Sequence, residues 1–216
     1  MQLLTTPLEM LIKEFPFFTN DECDEIKQYA YKKDKELKDS DPLFYAINDN
    51  KSEKYNSSLT TNSYNRYNFF RDHPTYAERL VSFLNETEAP VEWPIMVQSW
   101  INIYRKGDGI GWHKHRGDAL SFNIFIDGDP EPGPAYILAG KVYEGLSEYD
   151  MKVQNYPNKK GCMQIFPSST YHKVDRVSSD RISLGGTIHH QTSIPANIDY
   201  LSLNNKREHG IVILSK

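Results

Sequence analysis

From Val97 onward the chain is a succession of short β-type runs: VQSWINIY, ALSFNIFI, AYILAGKVY, CMQIF, YHKVDRV and RISLGGTIH. Clusters of Gly, Pro and Asp separate them. Runs of this length with such turns predict an all-β sandwich or jelly roll, since alternating βαβ units would need helical periods between the strands. GIVILSK near the end reads as one more strand. The 216 residues suffice for one domain with a sizeable core and are short for two. The expectation is a single domain over 1–216, mainly β with flanking helices. Helices and loops over 1–92 would pack on a jelly-roll core at 93–190, followed by a C-terminal extension at 191–216.

The first part of the chain carries the helical signals. LEMLIKEFPFF reads as an entering strand and TNDECDEIKQYAYKKDKEL as a helix. Thr19 with Glu22 three residues later is a capping-box pattern, and Asp21 adds negative charge at the positive helix end. Cys23, Ile26 and Ala30 form an apolar stripe at helical spacing. A second helix follows RDHP, with Asp72 or His73 as cap, Pro74 in the first turn, and Tyr76, Leu80, Phe83 and Leu84 as its buried face. The Asn-, Ser- and Tyr-rich stretch at 43–72 reads as long loops with one or two edge strands; the sharper alternative is a lid or substrate-facing surface.

Composition excludes several classes. No apolar run approaches the roughly 18 residues of a membrane span, and the N-terminus lacks a signal-peptide pattern. A net charge of -4 argues against bulk nucleic acid as a partner. Neither Cys23 nor Cys162 belongs to a CxxC pair, so both read as buried thiols, and the expected location is cytoplasmic.

The chemistry concentrates around GWHKHRGDALSFNIFI, Gly111–Ile126. In a strand, residues i and i+2 share a face, so His113 and His115 form a bidentate metal seat if the chain is extended there. His172, after an apolar strand and a turn, is the candidate third ligand. Gly107 supplies a turn six residues before His113, and Gly161 stands six before Pro167 and eleven before His172. His73, His189, His190 and His209 read as solvated. Arg181 and Ser183 also share a face, where a guanidinium and a hydroxyl suit a carboxylate. Ile182 and Leu184 point to the opposite, apolar face.

At these residues the chain resembles the iron(II)- and 2-oxoglutarate-dependent oxygenases. The family pattern of His-x-Asp/Glu, a distant His and Arg-x-Ser falls on His113-x-His115, His172 and Arg181-x-Ser183. Trp100, Asn102, Gly107, His113, His115 and Ser121 resemble a group in this superfamily with W-x-N, Gly and H-x-H. The helix after FPFFTNDECDEI resembles the N-terminal part of prolyl-hydroxylase-like members. The motifs cover roughly the second half of the chain, and the first third matches loosely. The resemblance implies a double-stranded β-helix, Fe(II) as metal, 2-oxoglutarate and O2 as co-substrates, and an oxidised main substrate that is a small molecule or a peptide or protein side chain. It implies metal ligation by His113, His115 and His172, with Asp118 as the alternative to His115, because this chain has His115 where the family places an acid. It implies 2-oxoglutarate contacts from Arg181 and Ser183, with Tyr104 and Asn102. Two other readings stand beside it. A cupin shares G-x5-H-x-H but calls for a Glu that is missing after HKHRGD and does not call for Arg181-x-Ser183. A jelly-roll binding module would have lost its chemistry.

Overall fold

The computed structural model describes residues 12–40, 55–56, 59–61, 67–87, 91–115, 120–140, 150–190 and 211–215. Twelve short strands and three helices lie among them. The strands are β1 (Lys13–Pro16), β2 (Tyr55–Asn56), β3 (Leu59–Thr60), β4 (Ile95–Tyr104), β5 (Gly109–His113), β6 (Leu120–Asp127), β7 (Pro134–Gly140), β8 (Asp150–Asn155), β9 (Cys162–Pro167), β10 (His172–Val174), β11 (Arg181–His190) and β12 (Ile211–Leu214). The helices are α1 (Asn20–Ser40), α2 (Phe69–Asp72) and α3 (Pro74–Glu86).

The strands divide between two antiparallel sheets. One runs β1-β9-β6-β11-β4-β12, with β3 also paired to β4; the other runs β2-β5-β10-β7-β8. From β4 to β11 the chain crosses repeatedly from one sheet to the other, which is the winding of a jelly roll. The expected fold class is therefore present. The turn between β4 and β5 uses Gly107, whose φ of 90° is open to glycine at little cost. There Gly107 N–H donates to Val177 O at 2.9 Å, tying the turn to the approach of β11.

Period-two alternation gives the larger sheet two unlike faces. Ile182, Leu184 and Ile188 of β11, Val97, Ile101 and Ile103 of β4, Phe122 and Ile124 of β6, and Met163 and Ile165 of β9 belong to one apolar cluster. The helices close that cluster with Cys23, Ile26, Ala30 and Leu37 from α1, Phe69 and Phe70 from α2, and Ala77, Leu80 and Leu84 from α3. Each fully buried aliphatic or aromatic side chain contributes about 1.5–3 kcal/mol. That face anchors the helices, which leaves the opposite face for polar residues.

The capping box at α1 is formed. Thr19 N–H donates to Glu22 Oε2 at 2.9 Å, and Glu22 N–H to Thr19 Oγ1 at 3.2 Å. Arg79 of α3 then grips both Glu22 oxygens at 2.7 and 2.8 Å, locking the two helices together. At α3 the capping expectation changes: His73 is the N-cap residue but makes no side-chain cap bond. Asp72 instead accepts from Tyr29 Oη at 2.5 Å. His73 is not solvated either; its ring stacks on Phe69 and Tyr76. Tyr76 and Phe83 are only partly buried, and Ala77 joins the inner face.

From the 43–72 stretch, β2 and β3 appear as two-residue strands, while Tyr67, Asn68, Phe69 and Phe70 enter the core. Cys23 is buried, which pushes its thiol up to about 11; Cys162 is only half-buried. No helix among the described residues is long and apolar enough to cross a membrane.

Candidate metal and anion site

The three histidines converge at strands β5 and β10 of the smaller sheet. His113 closes β5, His172 opens β10, and the two are strand partners. Their ring centroids lie 4.1 Å apart, with His115 at 5.5 Å from His113 and 5.2 Å from His172. One nitrogen from each ring lies within 4.8 Å of the others. The strand expectation for the pair needs one correction: β5 stops at His113, so His115 lies beyond regular pairing. Its backbone is held instead by His115 N–H donating to Ser168 O at 2.9 Å.

The tautomers follow from two backbone contacts. His113 Nδ1 lies 2.9 Å from Gly111 O, and His172 Nδ1 lies 2.9 Å from Thr170 O. A carbonyl only accepts, so each Nδ1 carries a proton, and in the neutral ring the lone pair is then on Nε2. Burial, reinforced by His113, pulls His115 down to about 4 and His172 down to about 3. His189 adds to the effect on His115. Both rings are therefore neutral near pH 7, the protonation state that metal binding requires.

Aromatic rings pack around the triad. Phe166 sits edge-on to His172 at 4.9 Å, and Trp100 lies 5.7 Å from His115. Trp100 owes its place to Gly185, its strand partner on β11: a Cβ there would come within 2.9 Å of Trp100 Nε1.

Arg181 opens β11 on the sheet face opposite the helices. Antiparallel register pairs Arg181 with Tyr104 and Ser183 with Asn102, so all four share that face. Arg181 is 2% exposed. Its guanidinium lies 5.4 Å from the Tyr104 ring and 5.6 Å from the Phe125 ring. Nη1 donates to Ser183 Oγ at 3.0 Å and Nη2 to Asn158 Oδ1 at 3.3 Å. Nε is buried without a hydrogen-bond partner, and no acidic side chain pairs with Arg181 among the described residues. Burial lowers its pKa, opposed by Tyr104 and Tyr136, yet arginine stays cationic. A buried cation that no carboxylate offsets is costly, and its Nε is left as a buried donor without an acceptor.

Asp118 lies outside the described residues, as do His209 and the side chain of His190. His189 is half-buried, with Nε2 3.0 Å from Thr187 Oγ1, contrary to the solvated reading. Sequence reading missed two groups. Asn158 sits in a turn with no periodicity to betray it. Tyr136 is fully buried opposite His172, and its hydroxyl donates to Gln164 Oε1 at 2.7 Å. The alternation of Tyr136 and Leu138 in AYIL was its signal, because both belong to the same small core cluster.

No protein-family model and no curated protein matches the chain. Solved structures do. A Pseudomonas putida prolyl-4-hydroxylase is similar at 13% identity, with a TM-score of 0.56 over 85% of this chain and 95% of its own. SnoK, a non-heme alpha ketoglutarate dependent carbocyclase from nogalamycin biosynthesis, gives 0.56 at 11% identity, over 94% and 92%. HygX from Streptomyces hygroscopicus, solved with nickel and 2-oxoglutarate bound, gives 0.50 at 11%, over 85% and 84%. At these identities the likeness is one of fold, and the chain shares the jelly-roll architecture of these oxygenases.

Proposed function

We propose that this protein is an Fe(II)- and 2-oxoglutarate-dependent dioxygenase that oxidises a small molecule or a peptide or protein side chain. The observation that carries the reading is the pairing of two features in one jelly roll: three imidazoles with converging nitrogens, and a buried Arg181 with no acidic partner among the described residues. His113, His115 and His172 would hold the metal. Arg181 and Ser183 would take the distal carboxylate of 2-oxoglutarate, with Tyr104 and Asn102 beside them. Bound iron(II) and 2-oxoglutarate supply the oxidising chemistry, in which dioxygen is reduced while 2-oxoglutarate loses CO2 to become succinate.

The chain's own residues prepare for that chemistry. Gly111 O and Thr170 O orient two rings so that Nε2 faces the site. Ser183 Oγ accepts from Arg181, so its own hydroxyl proton is available to an anion. Tyr136 gives its only proton to Gln164, whose amide is fixed because Nε2 donates to Glu14 Oε1 at 2.9 Å. Tyr136 therefore walls the pocket without donating into it. Phe166 and Trp100 limit the access of water to the histidines.

Anaerobic titration with Fe(II), with and without 2-oxoglutarate, tests the reading. A metal-to-ligand charge-transfer band that needs both components, and disappears in Arg181→Ala while metal is retained, is the expected result. Metal binding that 2-oxoglutarate never alters would replace the reading with a cupin-type metal enzyme. Binding of neither would leave a jelly-roll binding module.

A further inference from the structure

We infer that Asn158 is a positioning residue for the co-substrate: it holds the Arg181 guanidinium in place with a neutral acceptor and so leaves its charge for the distal carboxylate. The inference rests on the proposed 2-oxoglutarate reading. Asn158 is 7% exposed and lies between β8 and β9, far from Arg181 in sequence. Its amide is fixed by two backbone carbonyls: Nδ2 donates to Asp129 O at 3.0 Å and to Pro132 O at 3.1 Å. Its backbone N–H donates to Pro130 O at 2.8 Å. With both donors committed on one side, Oδ1 has one orientation, toward Arg181 Nη2 at 3.3 Å.

The 129–132 turn is braced in its own right. Ser178 and Ser179 hydroxyls both donate to Asp129 Oδ2, at 2.9 and 2.7 Å, and they belong to the segment that leads into Arg181. Asn158 thus links the turn, the approach to β11 and the guanidinium in one frame. The residue type matters. An aspartate of the same shape would neutralise Arg181 from within and compete with any incoming carboxylate. An apolar residue would leave a second guanidinium nitrogen short of an acceptor. Asn supplies the acceptor without the charge, and Ser183 does the same from the other side.

The test measures two ligands on the anaerobic Fe(II) protein. 2-Oxoglutarate carries the distal carboxylate, and pyruvate keeps the 2-oxo acid head without it. Asn158→Ala removes one acceptor from a charged donor, which corresponds to a loss of about tenfold or more in 2-oxoglutarate affinity. Asn158→Asp is expected to lose more than the alanine variant, because the new carboxylate occupies the guanidinium. Pyruvate and Fe(II) affinities should stay near wild type in both. Equal losses for the two acids, or unchanged 2-oxoglutarate affinity, would overturn the inference, and so would unfolding of both variants in a melt. Failure of wild type to bind 2-oxoglutarate at all would instead sink the functional reading beneath it.

Discussion

Replacing Arg181 by methionine separates what this residue costs the fold from what it gives the site. The guanidinium is 2% exposed, makes hydrogen bonds to Ser183 and Asn158, has an unpartnered Nε and meets no acid among the described residues. Methionine keeps similar length without charge. The variant loses two charge-assisted hydrogen bonds of about 1.5–3 kcal/mol each and strands two neutral acceptors. It also escapes the desolvation cost of a buried cation, which is several kcal/mol. Without ligand the variant should therefore melt near or above wild type. With ligand the order should reverse. Two charge-assisted bonds to a carboxylate correspond to roughly 3–6 kcal/mol, or about 10²–10⁴-fold in affinity. At a hundred times the dissociation constant, 2-oxoglutarate should stabilise the metal-loaded wild type by about 2.7 kcal/mol. For a chain of this size that is about 5–10 °C in Tm. Differential scanning with and without 2-oxoglutarate reads both quantities. A variant that melts many degrees lower alone, yet keeps the ligand shift, would show that Arg181 supports the fold and does not receive the carboxylate.

Three further substitutions and one titration follow. His172→Ala should cost more metal affinity than the roughly 10–100-fold of an outer-shell partner, measured by Co(II) titration; near-wild-type affinity would remove His172 from the ligand set. Gly185→Ala drives a Cβ to 2.9 Å from Trp100 Nε1, so the indole beside His115 must move, and metal affinity should fall while urea melts show a loss of about 1–3 kcal/mol. In the metal-free protein, His115 and His172 are lowered to about 4 and about 3, below the 6.5 of an unperturbed imidazole. The unfolded chain then binds protons that the folded one does not, so stability should fall as pH drops from about 6.5 toward 3–4 and should not gain from these groups above 6.5. Urea midpoints across that range, compared with His172→Ala, check the slope. His115→Asp should retain Fe(II) while weakening 2-oxoglutarate; isothermal titration that finds both affinities unchanged would contradict the charge argument below.

The sequence was informative where period and register fix geometry. Alternation in RISLGGTIH put Arg181 with Ser183 on one face and Ile182 with Leu184 on the opposite, apolar one; the structure has that arrangement and packs the helices on the apolar face. The capping box at Thr19 and the stripe of Cys23, Ile26 and Ala30 were equally local, and both formed. What escaped depended on tertiary contacts. His115 keeps its place through Ser168 O, a partner supplied by the β9–β10 turn, so strand spacing gave the right neighbour by the wrong support. Asn158 carries no periodic signal, since its role comes from three separated segments meeting. His73 looked like a polar turn residue, yet tertiary stacking on Phe69 and Tyr76 made it part of an aromatic cluster. β8 was missed because DMKVQN is short and carries only two apolar residues; among the described residues it is the edge strand beside β7, and Val153 is exposed.

A metal held by His113, His115 and His172 would favour particular anions. Most ligand sets of this type include one carboxylate, which offsets half of a divalent cation's charge. Here three imidazoles would take those places with no carboxylate among them, and Arg181 adds a further positive charge. Its hydrogen bonds and ring contacts are to Ser183, Asn158, Tyr104 and Phe125, none of them acidic. Metal and guanidinium together would leave an excess of positive charge beside a buried, uncompensated cation, where Coulomb interactions are stronger than in bulk water. A dicarboxylate offsets that excess at both ends at once, and a monocarboxylate at only one. On the proposed reading, 2-oxoglutarate binding should then depend on the metal more steeply than in a two-histidine, one-carboxylate site. An aspartate at position 115 would take over part of that compensation, so 2-oxoglutarate should lose affinity as the protein itself supplies the negative charge.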